Sequence, residues 1–159
     1  MAKRRNEIAM TDEEAAAFLE ECSQPGHSLE VASIGPSGYP HQIAMWYALV
    51  DGKIHFTSYG KAQKVLNLKR NPKISCMVEK GDSYSELRGL VIEGDAEIID
   101  DPETVFQVLK ASSANHPASN PMHEAPDEQK RKVASKRVVI KVNPVTIFSW
   151  DHRKLGGSY

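Results

Sequence analysis

One stretch of the chain has residue types and spacing that suit a phosphate: Thr57-Ser-Tyr-Gly-Lys-Ala-Gln-Lys-Val-Leu-Asn-Leu-Lys69. Two hydroxyls, Thr57 and Ser58, end a short strand. Gly60 turns the chain, and Lys61 and Lys64 then stand in the first turns of a helix. Residues three apart on a helix share a face, so the two ammonium groups converge. Unpaired N–H groups at the helix start add partial positive charge at the same place. The Gly-x4-Gly-Lys-Ser/Thr spacing of a nucleotide-triphosphate loop is absent. On the residues alone a competing reading, a solvated lysine face, stays open.

A second feature lies upstream. Between His41 and Val50 the apolar residues Ile43, Met45, Tyr47 and Leu49 alternate with Gln42, Ala44, Trp46 and Ala48, the period of a half-buried strand. Asp51-Gly52 is a two-residue hairpin turn, so Val50 is expected opposite Lys53, Ala48 opposite His55, and Trp46 opposite Thr57. In that register a planar group joined to a phosphate would lie over Ala44 and Ala48 and against Trp46. Trp46 as core or subunit-interface filler is the equal alternative.

Other chemistries lack their residues. His41 and His55 do not meet in this register, and His116 and His123 have no Cys or carboxylate at ligand spacing. There is no Gly-x-Ser-x-Gly elbow and no Gly-x-Gly-x-x-Gly fingerprint. Asp100-Asp101 ahead of Pro102 reads as a helix cap rather than an acid/base pair. A hydrolase has no visible machinery here, whereas a redox cofactor brings its own.

The elements that must position these residues follow in order. Thr11-Asp-Glu-Glu14 is a capping box opening a helix with Phe18 and Leu19 on its apolar edge. Strands are expected at Leu29–Ile34, His41–Val50, Lys53–Thr57 and Lys73–Glu79, then a long one from Tyr84 to Ile99. Two last strands, Val138–Val142 and Thr146–Trp150, are split by Asn143-Pro144. Ala62, Val65 and Leu66 mark the helix after the phosphate stretch, and Asn71-Pro72 stops it. Gly89 and Gly94 predict bends or bulges. Further helices are expected over Glu103–Ser113 and Asp127–Ser135, joined by an irregular loop from Asn115 to Pro126. Parallel βαβ alternation is missing, so the expectation is a mainly β fold: a closed or nearly closed antiparallel barrel with peripheral helices.

The 159 residues suit one domain, with residues 1–10 read as a frayed terminus and 152–159 as a polar tail. Twenty basic and 21 acidic side chains leave little net charge, which argues against nucleic acid as the main partner. No stretch approaches ~20 apolar residues, so no membrane span is expected. Cys22 and Cys76, far apart and without a pairing motif, fit a reducing compartment, and the expected location is cytoplasmic.

These motifs together resemble the pyridoxamine 5′-phosphate oxidase-like split β-barrel proteins. The residues that carry the resemblance are Ile34 to Tyr47, Asp51-Gly52 and Lys61 to Pro72. Leu87 to Ile99 and Ser149 to Leu155 look like the actinobacterial branch, in which many members use the deazaflavin coenzyme F420 rather than FMN. The resemblance implies a six-stranded split barrel, a homodimer, and cofactor sites in clefts between subunits. It implies that Thr57, Ser58, Lys61 and Lys64 hold the cofactor phosphate. By the same resemblance His41, Ala44, Met45 and Trp46 flank the tricyclic ring, and Tyr84 or Arg88 approaches from a neighbouring strand. Trp150 and His152 come across from the other subunit. The implied activity is hydride transfer from reduced coenzyme F420 or FMN to a small organic acceptor, a small-molecule redox substrate, with His41 the first candidate proton donor. Alternatives are a non-catalytic carrier of FMN, the deazaflavin or a tetrapyrrole, and a structural dimer with an empty site. True pyridoxamine phosphate oxidation is a minor reading, because the further basic residues that bind the substrate phosphate are not identifiable.

Overall fold

A single antiparallel sheet organises the computed structural model, which describes residues 6–118 and 120–156. Its strands are β1 (Leu29–Ile34), β2 (Pro40–Met45), β3 (Ala48–Val50), β4 (Lys53–Tyr59), β5 (Lys73–Lys80), β6 (Arg88–Ile99) and β7 (Arg137–Asp151). They run in the order β2-β1-β5-β6-β7-β4-β3. β2 and β3 stand at opposite edges of that order, yet only Trp46 and Tyr47 separate them in the chain. Three peptide steps reach at most ~11 Å, so the two edges must meet. The sheet is therefore curled into a barrel, split at this seam.

Burial follows the pleat. Leu29 and Val31 of β1, Ile54 and Phe56 of β4, Ile74, Cys76 and Val78 of β5, and Val138, Ile140 and Val142 of β7 fill the interior. Helix α1 (Asp12–Cys22) contributes Phe18, Leu19 and Cys22 to that core, and the buried Tyr47 hydroxyl donates to the Leu19 carbonyl at 2.5 Å. The capping box at Thr11 and Glu14 forms as expected. Helix α2 (Gln63–Arg70) buries Val65 and Leu68. A second cluster lies outside the barrel, where Val105, Phe106, Val108 and Leu109 of α3 (Pro102–Ala114) and Ala134 of α4 (Asp127–Ala134) meet Val139. α3 packs over β3 and β4, so β4 is buried on both faces from Ile54 to Ser58.

Several expectations are corrected. The strand from His41 to Val50 breaks at Trp46–Tyr47, because its first half pairs with β1 and only Ala48–Val50 pairs with β4. Val50 does face Lys53 and Ala48 faces His55, but Trp46 does not face Thr57. Tyr84–Glu86 forms a 3-10 turn, and β6 begins at Arg88. Asn143-Pro144 does not split β7. Pro144 sits at a register shift opposite Gly94, beyond the reach of the β4 ladder, where no bond from its nitrogen is required. A Cβ on Gly94 would lie 2.3 Å from the Asn143 carbonyl oxygen, so the bulge needs glycine.

Residues 8–10 and 149–154 are held together more firmly than their polarity suggests. The Asp151 N–H donates to the Ile8 carbonyl, the Met10 N–H to Ser149 Oγ, and the Lys154 ammonium to the Ala9 carbonyl. His152–Leu155 is a 3-10 turn against this strap. Of the segments expected to be loose, residues 1–5 and 157–159 lie outside the described residues, as does Ser119 of the loop.

At Gly89 the indole of Trp150 lies where a side chain would begin: a Cβ there would be 2.0 Å from Cζ2. Gly89→Ala must displace the ring, which predicts a loss of about 1–3 kcal/mol. Urea unfolding should show a lower midpoint with an unchanged slope.

Candidate functional site

Near the end of β4, Thr57 and Ser58 are both buried and project to opposite faces of the strand. On the inner side the Lys64 ammonium donates to Ser58 Oγ at 3.1 Å. On the outer side Arg137 Nη1 donates to Thr57 Oγ1 at 3.2 Å. Arg137 reaches this place because β4 and β7 pair with Tyr59 opposite Arg137 and Ser58 opposite Val138. Its guanidinium lies 4.3 Å from the centroid of the Tyr59 ring, and its Nε is buried with no hydrogen-bond partner.

Lys64 and Arg137 are thus two cations at one strand end with no carboxylate between them. Burial first, and the positive charge of Arg137 second, hold the Lys64 pKa below the usual lysine range. Such an arrangement is unfavourable until an anion joins it. Helix α2 starts at the same spot from Ala62, which supplies no side-chain cap. Its first N–H groups add to the positive field. Lys61 is different: it lies exposed on the turn, outside the Ser58–Lys64 contact.

Asn67 anchors the assembly. It is fully buried, donates to Ser33 Oγ at 3.2 Å, and accepts from Gln63 Nε2 at 2.8 Å and from Arg70. Arg70 also donates to the Ile34 carbonyl at 2.6 Å. These bonds fix α2, and with it Lys64, onto β1. The apolar face of α2 therefore runs through Val65 and Leu68, and Leu66, one of the residues that marked the helix, is exposed.

The ring-flanking residues are arranged differently from expectation. On β2, register with β1 puts His41 opposite Ser33 and Met45 opposite Leu29, on the inner face, whereas Ala44 is exposed. His41 Nδ1 is buried without a partner. Trp46 sits at the barrel seam, 37% exposed, with one ring face stacked on His116 at 4.5 Å and 13°. Burial lowers the pKa of His116, disfavouring its charged form. Ala48 is buried, so the open slot over Ala44 and Ala48 does not exist. Its outer face is taken by α3.

Tyr84, Arg88 and Trp150 do not join Lys64 and Arg137 within the chain. β6 runs from Arg88, paired with Asp151, to Ile99, paired with Val139, which neighbours Thr57. Eleven strand steps at ~3.3 Å separate the two ends by roughly 36 Å. At the far end Tyr84 packs on His152 at 4.4 Å, and the His152 ring bonds the Tyr84 carbonyl. Arg88 is committed to structure. It makes a bidentate pair with Glu21 at 3.0 Å and lies over the Phe18 ring at 4.8 Å. Lys80 joins the same carboxylate.

The sequence reading missed Arg137 and Asn67. Asn67 carried a signal, a polar residue interrupting an apolar helix face. Arg137 carried none, because its place depends on a strand pairing across 80 positions.

A family model described as pyridoxamine 5′-phosphate oxidase matches residues 11–151. A conserved hypothetical protein from Mycobacterium tuberculosis is similar at 36% identity and a TM-score of 0.85, over 98% of this chain and 93% of that one. An F420 reductase is similar at 29% identity and a TM-score of 0.62, over 80% of this chain and 94% of that one. An FAD-binding protein from Mesorhizobium loti shares the fold at 14% identity and a TM-score of 0.63, over 89% and 94% of the two chains. No curated protein matches the chain significantly.

Arg88 and Lys80 pull the Glu21 pKa down to about 2. A depressed carboxylate contributes stability above its unfolded value near 4.5, and that contribution is lost as pH falls toward about 2. Glu21→Gln should therefore unfold at lower denaturant than the parent at pH 7. The gap should close when both are measured near the lower end of that window.

Proposed function

The chain belongs to the pyridoxamine 5′-phosphate oxidase family, and from that premise we propose that it is an oxidoreductase working with a phosphate-bearing flavin or deazaflavin, FMN or coenzyme F420. The observation that carries the reading is the Lys64–Arg137 pair at the end of β4. It presents two cations that share no ion pair among the described residues, one on each face of the strand end, each bonded to a buried hydroxyl, and an orphaned buried N–H on Arg137. A phosphate dianion supplies the missing acceptor for Arg137 Nε and offsets the repulsion between the cations. This donor set fits the group. Lys64, Arg137, Thr57 and Ser58 would hold the phosphate, and Asn67 would keep Lys64 in place. Lys61 would lie at the rim rather than in the cradle.

When bound, the reduced cofactor supplies a hydride to a small organic acceptor. The chain's own part is to orient the ring, exclude water and provide a proton. Trp46, held on His116, would give the ring a rigid wall. His41, with its unpartnered Nδ1 at the inner edge of β2, is the first proton-donor candidate of this reading.

A second copy completes the proposal. Val145, Ile147 and Phe148 lie exposed on β7, beside the end that carries Tyr84, Trp150 and His152. In a two-fold dimer through this face, those residues of one protomer would meet the phosphate end of the other. The non-catalytic carrier is the second reading, favoured by His116, which is stacked on Trp46 at the seam and whose charged form burial disfavours.

Titration of cofactor-free protein with FMN and with the deazaflavin, followed by quenching of Trp46 and Trp150 emission, tests binding. Lys64→Ala and Arg137→Ala should each weaken it by on the order of 10- to 100-fold, the worth of a charge-assisted hydrogen bond. Turnover of the reduced cofactor with an electron acceptor separates enzyme from carrier. Unchanged affinity in both variants would remove the phosphate assignment.

A further inference from the structure

Strand β7 outlasts one of its neighbours. The β4–β7 ladder ends with His55 opposite Lys141, while β7 runs on to Asp151 paired with β6 alone. Pro144 lies just past the end of that ladder, without an N–H to extend it. The barrel wall is therefore open beside the Asp51-Gly52 turn. Helix α1 crosses the gap, but it brings Ala15 and Ala16 there, whose methyl groups cannot fill it. What remains is a cavity of about 300 Å³, walled by Ala15, Ala16 and Leu19 of α1 together with Ile54, Ile92 and Ile147. Ile147 is 54% exposed although it stands opposite the buried Ile92.

The walls and the mouth of this cavity differ in chemistry. The walls are aliphatic, and water is a poor occupant there because it needs two to four polar partners. A cavity of about 150 Å³ holds benzene, so this one suits a body of about two fused rings. The mouth carries two charged side chains, Asp12 and Lys53. Asp12 lies in the first turn of α1, where free backbone N–H groups favour its charge. Lys53 has no such compensation. Its ammonium donates to the neutral Asn143 Oδ1 at 3.3 Å and joins no ion pair among the described residues. Glu97, which accepts from the same Asn143, is taken up by Lys141. We propose that this cavity binds a compact apolar carboxylate, its body against the aliphatic wall and its carboxylate on Lys53. The site is separate from the Lys64–Arg137 cradle and does not depend on it, since Lys53 and Ser58 are five strand steps apart, roughly 16 Å.

Equilibrium dialysis of the full chain against 2-naphthoate and its uncharged isostere 2-naphthamide tests the assignment. The carboxylate should bind once per chain and about 3- to 5-fold more tightly than the amide, the yield of a partly exposed ion contact. Lys53→Gln should remove that advantage and leave the amide within about twofold. Ala15→Leu, which fills the cavity, should weaken both ligands at least about tenfold, by the lost burial of the ring body. Ala16→Leu, on the more exposed flank of the same helix, makes the same test should Ala15→Leu not fold. Binding of neither probe overturns the proposal, as does unchanged affinity in the filled variants. Equal affinity for acid and amide, or an equal loss of both in Lys53→Gln, also overturns it. Lys64→Ala should leave naphthoate binding unchanged. Loss of binding in that variant would place the ligand at the cradle and overturn the separate site.

Discussion

The backbone ladder between β4 and β7 is the constraint on which the rest depends. It joins strands eighty positions apart, seals one flank of the barrel and lays Arg137 beside Thr57. Without it Lys64 would be one exposed helix lysine among several. With it, Lys64 and Arg137 stand at the same end of β4, where the positive charge of Arg137 adds to burial in lowering the Lys64 pKa.

The remaining elements then have definite tasks. α2 carries Lys64, and Asn67 ties α2 to β1 from the other side of the barrel end. α3 covers the outer face of β3 and β4, which buries Ala48 and brings His116 onto Trp46. β6 and β7, the longest strands, carry Tyr84, Trp150 and His152 to the opposite end. There Arg88, Glu21 and Phe18 fasten α1, and Gly89 makes room for the Trp150 ring. Within one chain the Lys64–Arg137 end and the aromatic end do not meet, so a site built from both requires a second copy.

Much of this was legible in the residues. The hairpin at Asp51-Gly52, the capping box at Thr11, the cap at Asp101, and the strand–turn–helix that presents Ser58 and Lys64 all rest on local rules of turn and cap chemistry. What escaped was non-local. Period-two alternation through Trp46 and Tyr47 looks the same whether a strand continues or crosses a barrel seam, because side chains keep alternating while hydrogen-bond partners change. Pro144 looked like a strand break because its tolerance depends on having no neighbour on that side. Arg137 and Arg88 are each the first residue of a strand. Only tertiary placement gives the first an unpaired buried N–H and the second a carboxylate.

The account's central claim is that an anion belongs between Lys64 and Arg137. The most direct measurement is a crystal structure of the protein grown with FMN or the deazaflavin. The account predicts the phosphate within hydrogen-bonding distance of Lys64 Nζ and of the Arg137 guanidinium, at the start of α2. A phosphate bound instead among Lys80, Arg88 and Arg153 at the far end of the barrel would contradict it.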